Sequence, residues 1–368
     1  MKKRIIDEVI EGARDLSKYD VGETIEGLAS KLGKKPSEIL KLNSNENLFM
    51  PLDLLRDVLR QVVDEVDPRI YPRDEYGHLR EAISGFMNVP EECIAIGAGS
   101  DQLIETISEM FLRDGYEALS MEPTFPIYER CVRIQGASYR AVPLKDDFTL
   151  DVDSMMSAIN PNTRIIFLCS PNNPTANQLG RENILSLCEE FEGLVVVDET
   201  YADFAGVTLA DAAVSLDNLI VFRTFSKTFG LAGLRVGYAV GNRRLVKVFE
   251  EKFQMPYSVS TIALKAAVKI LERWGEVAGV IEAIREQREI LVSELNKMSG
   301  VRAFPSETNF VLFQVNKDSS TVYRSLLEKG VIVRNLGRVL RFDNCLRVTV
   351  APSPMTERFL RHLSEVLL

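Results

Sequence analysis

The chain is poor in metal-binding and cross-linking residues. It has two histidines and five cysteines in 368 residues. His78 and His362 are too few for a histidine-rich metal centre, and no two cysteines form a CxxC pair, so no metal is expected. Cys93, Cys131, Cys169, Cys188 and Cys345 are scattered, with Cys93, Cys169 and Cys188 in or beside apolar segments; all five read as free thiols of a reducing compartment. Excess positive charge is also lacking. At a net charge of -9, the chain has no overall attraction to nucleic-acid phosphates or anionic membranes. No apolar run approaches the length of a membrane span, and the basic start MKKRIIDEVIEGARD has no apolar stretch of the kind a signal peptide needs. Repeats and low-complexity segments are missing too. The expectation is a cytoplasmic protein with no nucleic-acid or membrane partner.

What is present is ordinary globular material, 46% hydrophobic and 26% charged, enough for one large domain and a smaller one. Residues 1–40 read as an amphipathic helical arm interrupted at Lys18–Gly22. Asn43–Asn47 is a polar turn, Pro51 opens a short helix, Pro68–Gly77 is irregular, and helix resumes over Leu79–Met87. From Cys93 the pattern changes to short apolar runs separated by helix-like stretches: Cys93–Ile96, Arg164–Cys169, Leu194–Val197, Leu219–Phe222 and Val236–Val240, with weaker candidates at Gly115–Ser120 and Ala137–Val142. Runs without alternation suit strands buried on both faces, and their order with helices predicts a mainly parallel, doubly wound α/β domain. After about residue 245 a helical stripe (Val277, Ile281, Ile284, Leu291, Leu295) is followed by strand-like Phe310–Val315, Val331–Val333 and Leu346–Val350, which reads as a smaller α+β domain. The expected division is an arm over 1–40, a large domain over 41–245 and a small domain over 246–368.

Ligands of an open α/β sheet bind beyond the carboxyl ends of its strands, so the residues after each apolar run carry the functional information. After Cys93–Ile96 comes Gly97-Ala98-Gly99-Ser100-Asp101 and a helix, which is either a phosphate cradle or a tight turn with a cap. A nicotinamide dinucleotide site would want a third glycine where Gln102 stands. After Arg164–Cys169 comes Ser170-Pro171-Asn172-Asn173-Pro174-Thr175, a polar turn that either meets a ligand through asparagine or is an Asx turn. After Leu194–Val197 comes Asp198-Glu199-Thr200-Tyr201. An acid at the end of a buried strand needs a cation or a capping role, and a pyridinium nitrogen is one such cation. After Leu219–Phe222 comes Arg223-Thr224-Phe225-Ser226-Lys227-Thr228, then a glycine-rich stretch and Arg235. A lysine among hydroxyl residues in an apolar segment has little structural purpose. Desolvation lowers its pKa and makes it a nucleophile, and Arg235 can hold a phosphate.

Together the segments SPNNPT (170–175), VVVDETY (195–201) and TFSKTFGLAGLRVGY (224–238) resemble the signature of fold-type I aminotransferases that use pyridoxal 5'-phosphate (PLP). Within that superfamily the chain is most similar to the histidinol-phosphate aminotransferases, through LNSNEN (42–47), Tyr71-Pro72, Pro123–Phe125, GVIVR (330–334) and LRVTV (346–350). The resemblance implies that Lys227 holds PLP as a Schiff base and moves the proton, that Asp198 faces the pyridine nitrogen, and that Tyr201 and Asn173 meet the 3'-oxygen. It implies Phe125 stacked on the ring, and Gly99, Ser100, Asp101, Thr224, Ser226 and Arg235 around the phosphate. Tyr71 would reach that phosphate from a neighbouring subunit, so a homodimer is implied. Arg347 would clamp a substrate carboxylate, Arg334 and Tyr19 would bind the distal group, and Asn309 would line the site. The implied reaction exchanges an amino group between glutamate and imidazole-acetol phosphate; aromatic amino acid transamination or threonine-phosphate decarboxylation are the alternatives on the same scaffold. Phe125 where the family often has tyrosine, and Ala176 where it often has glycine, bear on fine specificity.

Overall fold

The computed structural model describes residues 4–14, 16 and 21–368. In chain order the strands are β1 (Leu40–Lys41), β2 (Ile94–Gly97), β3 (Glu117–Glu122), β4 (Ser138–Pro143), β5 (Thr163–Cys169), β6 (Leu194–Asp198), β7 (Leu219–Thr224), β8 (Gly237–Gly241), β9 (Val301–Ala303), β10 (Phe310–Val315), β11 (Val331–Ile332), β12 (Arg334–Val339) and β13 (Phe342–Thr349). Seven of them form one sheet in the order β2-β8-β7-β6-β5-β3-β4. Its pairs are parallel except where β8 runs antiparallel to both β2 and β7. Every residue of β2, β6, β7 and β8 is buried, the expected result of helices on both faces of a sheet.

A second sheet, β12-β13-β10-β9, is antiparallel. The helix Trp274–Lys297 packs beside it and buries Val277, Ile281, Ile284, Leu291 and Leu295, the stripe read from the sequence. β1 forms a short parallel ladder with β11, Leu40 opposite Val331 and Lys41 opposite Ile332. The chain just after β1 is then stitched to β13: Thr349 N donates to Leu42 O at 2.9 Å and Asn45 N to Thr349 Oγ1 at 3.0 Å. Asn43–Asn45 therefore ride on the four-stranded sheet.

Three local readings change. The helix after Pro51 is not short; it runs over Leu52–Glu65. Helix resumes at Asp74 and includes Gly77. Asp74 and Glu75 in its first turn favour the positive helix end, and Glu75 Oε2 accepts from Arg73 N at 3.1 Å; this start outweighs the modest cost of an interior glycine. β12 is a strand that no apolar run announces, because its residues RNLGRV are mostly polar or small and its register is irregular around Asn335 and Gly337.

Candidate active site

A cavity of about 470 Å³ opens at the carboxyl ends of β5, β6 and β7, lined there by Cys169, Asp198 and Thr224. The four-stranded sheet closes it from the other side with Arg334, Leu336, Arg338 and Arg347, and Asn43–Asn45 complete the wall.

Asp198 ends β6 and is buried. Tyr128 Oη donates to its Oδ2 at 2.9 Å and Thr200 N to its Oδ1 at 3.0 Å. Burial pushes its pKa up, against those hydrogen bonds, and among the described residues no cationic side chain forms an ion pair with it. An ionised carboxylate in this position is therefore a waiting acceptor for a positively charged ring. Tyr128 was not legible as a site residue. It lies on the helix Ile127–Ile134, and its ring stacks on Phe167 with centroids 5.1 Å apart.

Lys227 follows β7. Its Nζ donates to Ser44 O at 2.8 Å. Burial lowers its pKa from 10.5 to about 8; Arg347 and Arg235 push the same way, and Glu46 and Asp101 resist. The amine thus reaches its free-base form, the state a nucleophile needs, at a far lower pH than an ordinary lysine. Tyr201 Oη accepts from Asn45 Nδ2 at 2.9 Å. Phe125 lines the same space and meets Tyr128 edge-on.

An anion cradle lies beyond the lysine. The helix Gly99–Phe111 points its N-terminus there, with Ser100 and Asp101 in the cavity wall. Arg235 NH2 donates to Asp101 Oδ2 at 3.0 Å and NH1 to Ser226 Oγ at 3.2 Å, while Thr224 Oγ1 donates to Ser226 Oγ at 2.9 Å. Arg235 is held in the left-handed region (φ 56), a strained conformation of the kind that collects at functional sites. Gly99 has φ 79, a conformation that favours glycine, and a Cβ there would stand 2.6 Å from Arg235 NH2 and push the guanidinium aside. Free N–H groups, hydroxyls and a guanidinium converging on one spot suit a phosphate.

At the opposite end Arg334 and Arg347 face each other across β12 and β13. Arg347 is buried, donates through NH2 to Asn43 O at 2.8 Å and through NH1 to Asn173 Oδ1, and lies over the Phe310 ring at 5.2 Å. Arg338, two residues beyond Leu336 on the same strand, also lines the cavity. Its contribution, like those of Asn43, Asn45 and Tyr128, was missed. The polar segment Asn43–Asn47 was the available signal for the asparagines, whereas nothing in the sequence ties Tyr128 to Asp198.

The structure brings together Lys227, Asp198, Tyr201, Ser100, Asp101, Phe125, Asn173, Thr224, Ser226, Arg235, Arg334 and Arg347 in one wall. Gly99 stands directly behind it, against Arg235. Asn309 supports it from outside, donating Nδ2 to Asn45 O at 2.9 Å. Tyr71 is not part of this chain's own cavity; it is 72% exposed and stacks on Tyr257 at 4.8 Å. Tyr19 lies outside the described residues.

Two buried oxygens in the lining, Asn45 Oδ1 and Thr200 Oγ1, have no hydrogen-bond partner among the described residues. Buried polar atoms left this way are costly unless a ligand meets them. An amine, a buried acid and a phosphate cradle around such atoms fit a phosphorylated pyridine aldehyde. The model of the family described as aminotransferase class I and II matches residues 37–367. A histidinol-phosphate aminotransferase of Thermoanaerobacter pseudethanolicus is 36% identical over 330 residues, 89% of this chain and 93% of the relative. One from Bacillus subtilis strain 168 is 32% identical over 363 residues, 97% of this chain and 99% of the relative. The crystal structure of histidinol-phosphate aminotransferase from Sinorhizobium meliloti in complex with pyridoxal-5'-phosphate superposes with a TM-score of 0.86 at 26% identity, covering 95% of each chain.

Proposed function

Because this chain belongs to the aminotransferase class I and II family, we propose that it uses PLP to move an amino group from glutamate to imidazole-acetol phosphate, yielding 2-oxoglutarate and L-histidinol phosphate. The observation that carries this is the joint placement of Lys227, Asp198 and the Ser226–Arg235 cradle in one cavity. The substrate assignment is supported by the relatives of that name, which align along most of this chain.

Bound in this cavity, PLP supplies an electron sink for the pair released when the substrate loses its Cα proton. The chain's own residues do the rest. Lys227 Nζ would hold the cofactor covalently and, when free, would take up and return the proton of the substrate's Cα; its lowered pKa suits both tasks. Asp198 keeps the ring nitrogen protonated. Tyr201 and Asn173 hold the 3'-oxygen, and Phe125 covers the ring. Gly99, Ser100, Asp101, Thr224, Ser226 and Arg235 hold the phosphate arm. Arg347 clamps the carboxylate of glutamate, while Arg334 and Tyr19 take the distal group and Asn309 braces the wall. L-Histidinol phosphate has no α-carboxylate, so a single site must receive two differently charged substrates. Always-charged arginines suit that.

The working unit of this proposal is a homodimer in which Tyr71 of one copy reaches the phosphate of the other. Its outward position supports that role. We further read the chain as an arm over 1–40, a large domain over 41–245 and a small one over 246–368, with the seven-stranded sheet inside the second and the four-stranded sheet inside the third. The cytoplasm is proposed from the five free thiols.

The test is the purified protein with PLP. A yellow chromophore that borohydride bleaches and fixes on Lys227 is expected, and a protein that takes up no PLP defeats the reading. Single half-reactions with histidinol phosphate, glutamate, phenylalanine and threonine phosphate then decide the substrate. Turnover of phenylalanine without histidinol phosphate, or release of carbon dioxide from threonine phosphate, would replace the proposed reaction.

A further inference from the structure

The two segments that line the cavity also touch each other on their far sides. Along 198–203, Asp198 and Tyr201 line the cavity, while Glu199 and Asp203 turn toward Arg223. Along 223–228, Thr224, Ser226 and Lys227 line the cavity, while Arg223 and Thr228 turn back toward the acids. Arg223 Nε donates to Glu199 Oε2 at 2.9 Å and NH1 to Asp203 Oδ1 at 2.6 Å, and Thr228 Oγ1 donates to Asp203 Oδ2 at 2.7 Å. Arg223, Glu199 and Thr228 are buried.

The cluster is anchored from three further directions. Glu199 also accepts from Thr208 Oγ1 at 2.7 Å and Leu209 N at 2.6 Å. Arg285, on the helix Trp274–Lys297, donates to Asp203 O at 3.0 Å and Phe204 O at 2.9 Å. Asn47 Nδ2 donates to Thr228 O at 2.8 Å. Glu199 is the chain neighbour of Asp198, and Thr228 of Lys227. Burying Glu199 with a guanidinium, and half-burying Asp203 beside them, contributes less stability than apolar packing would. What the arrangement does supply is fixed geometry: three directional bonds that set one segment against the other.

We propose that Arg223, Glu199, Asp203 and Thr228 form a positioning network that fixes Lys227 Nζ relative to the Asp198 carboxylate, with the Thr228 hydroxyl as the link next to the lysine. This rests on the PLP reading above. A cofactor spans the two groups, so a shift of either misaligns Cα proton transfer without altering substrate recognition at the arginines, which belong to the other sheet. Misplacement by about 1 Å is enough to slow such a step about a hundredfold.

Thr228→Val tests this, since it deletes the hydroxyl and keeps the shape; Arg223→Lys is a harsher companion. In Thr228→Val loaded with PLP, kcat should fall about tenfold or more while KM for glutamate stays within about twofold. The apparent pKa of the lysine–cofactor chromophore, followed by its visible spectrum, should move by about half a unit or more. Thr228→Ser should restore both. If kcat and the chromophore titration match wild type, whatever happens to the melting temperature, the network is structural only and the proposal is overturned. If wild type itself forms no chromophore, the PLP reading fails instead, so the two failures are distinguishable.

Discussion

Arg334 and Arg347 stand directly opposite each other on neighbouring antiparallel strands, and both reach the same cavity. Like charges in that relationship oppose each other, so the pairing makes sense where an anion is to be bound between them. Arg338 adds a third guanidinium to the same wall. Replacing Arg334 by Ala should raise KM for the phosphorylated donor by about tenfold or more, with a smaller effect on glutamate. Arg338→Ala should act in the same direction. Steady-state kinetics with both donors checks this, and equal losses for the two would remove the distal role.

Lys227→Ala should lower turnover by about a thousandfold or more while circular dichroism and the melting temperature stay near wild type. Sustained multiple turnover by the variant would refute the assignment.

The lysine also sets a pH dependence. Its pKa is lowered from 10.5 to about 8, mainly by burial, so the neutral amine gains population as pH rises through 8. The rate at which the cofactor-free protein captures PLP should climb to a plateau with a midpoint near pH 8. A midpoint near that of an ordinary lysine, read by stopped-flow absorbance, would contradict the desolvated environment. Stability follows the same group. Below pH 8 both folded and unfolded chains hold the proton and the burial penalty is in full. Between 8 and 10.5 only the unfolded chain holds it, so stability from this site rises with pH across that window.

Asp198→Asn separates function from stability. The folded carboxyl has a raised pKa because it is buried, so ionising it is harder in the fold than in the unfolded chain, and that cost is relieved as pH falls through the raised value. The Asn variant should lose activity by about a hundredfold or more, yet melt no lower than wild type without cofactor at neutral pH, with the difference narrowing in acid. A clearly lower melting temperature would show that the carboxylate is structural.

Mixing chains tests Tyr71. Co-expressed Lys227→Ala and Tyr71→Ala chains leave one intact site in each hybrid dimer if Tyr71 serves the neighbouring copy. Activity should then recover to about a quarter of wild type. No recovery above the separate variants would confine Tyr71 to its own subunit.

Strands β5, β6 and β7 were legible because burial on both faces writes an unbroken apolar run, and their ends pointed to Asp198 and Lys227. β12 was not, since a strand with one face on a cavity carries Arg334 and Arg338 among glycine and asparagine. Tyr128 and Asn45 were hidden for another reason. Their roles depend on contacts made across the fold, to Asp198 and Tyr201, and no local pattern encodes such a distance. Arg223 read as a flanking residue because its acids lie on a different strand's extension.

The bond from Lys227 Nζ to Ser44 O joins the turn after β7 of the seven-stranded sheet to a segment carried by the four-stranded one. Any group that takes Lys227 into covalent union must take it from that carbonyl. Loading would thus be an exchange of tethers: the segment would give up its one bond to the lysine and keep those to Tyr201, Asn309, Thr349 and Arg347, which leave it on the side of the arginines.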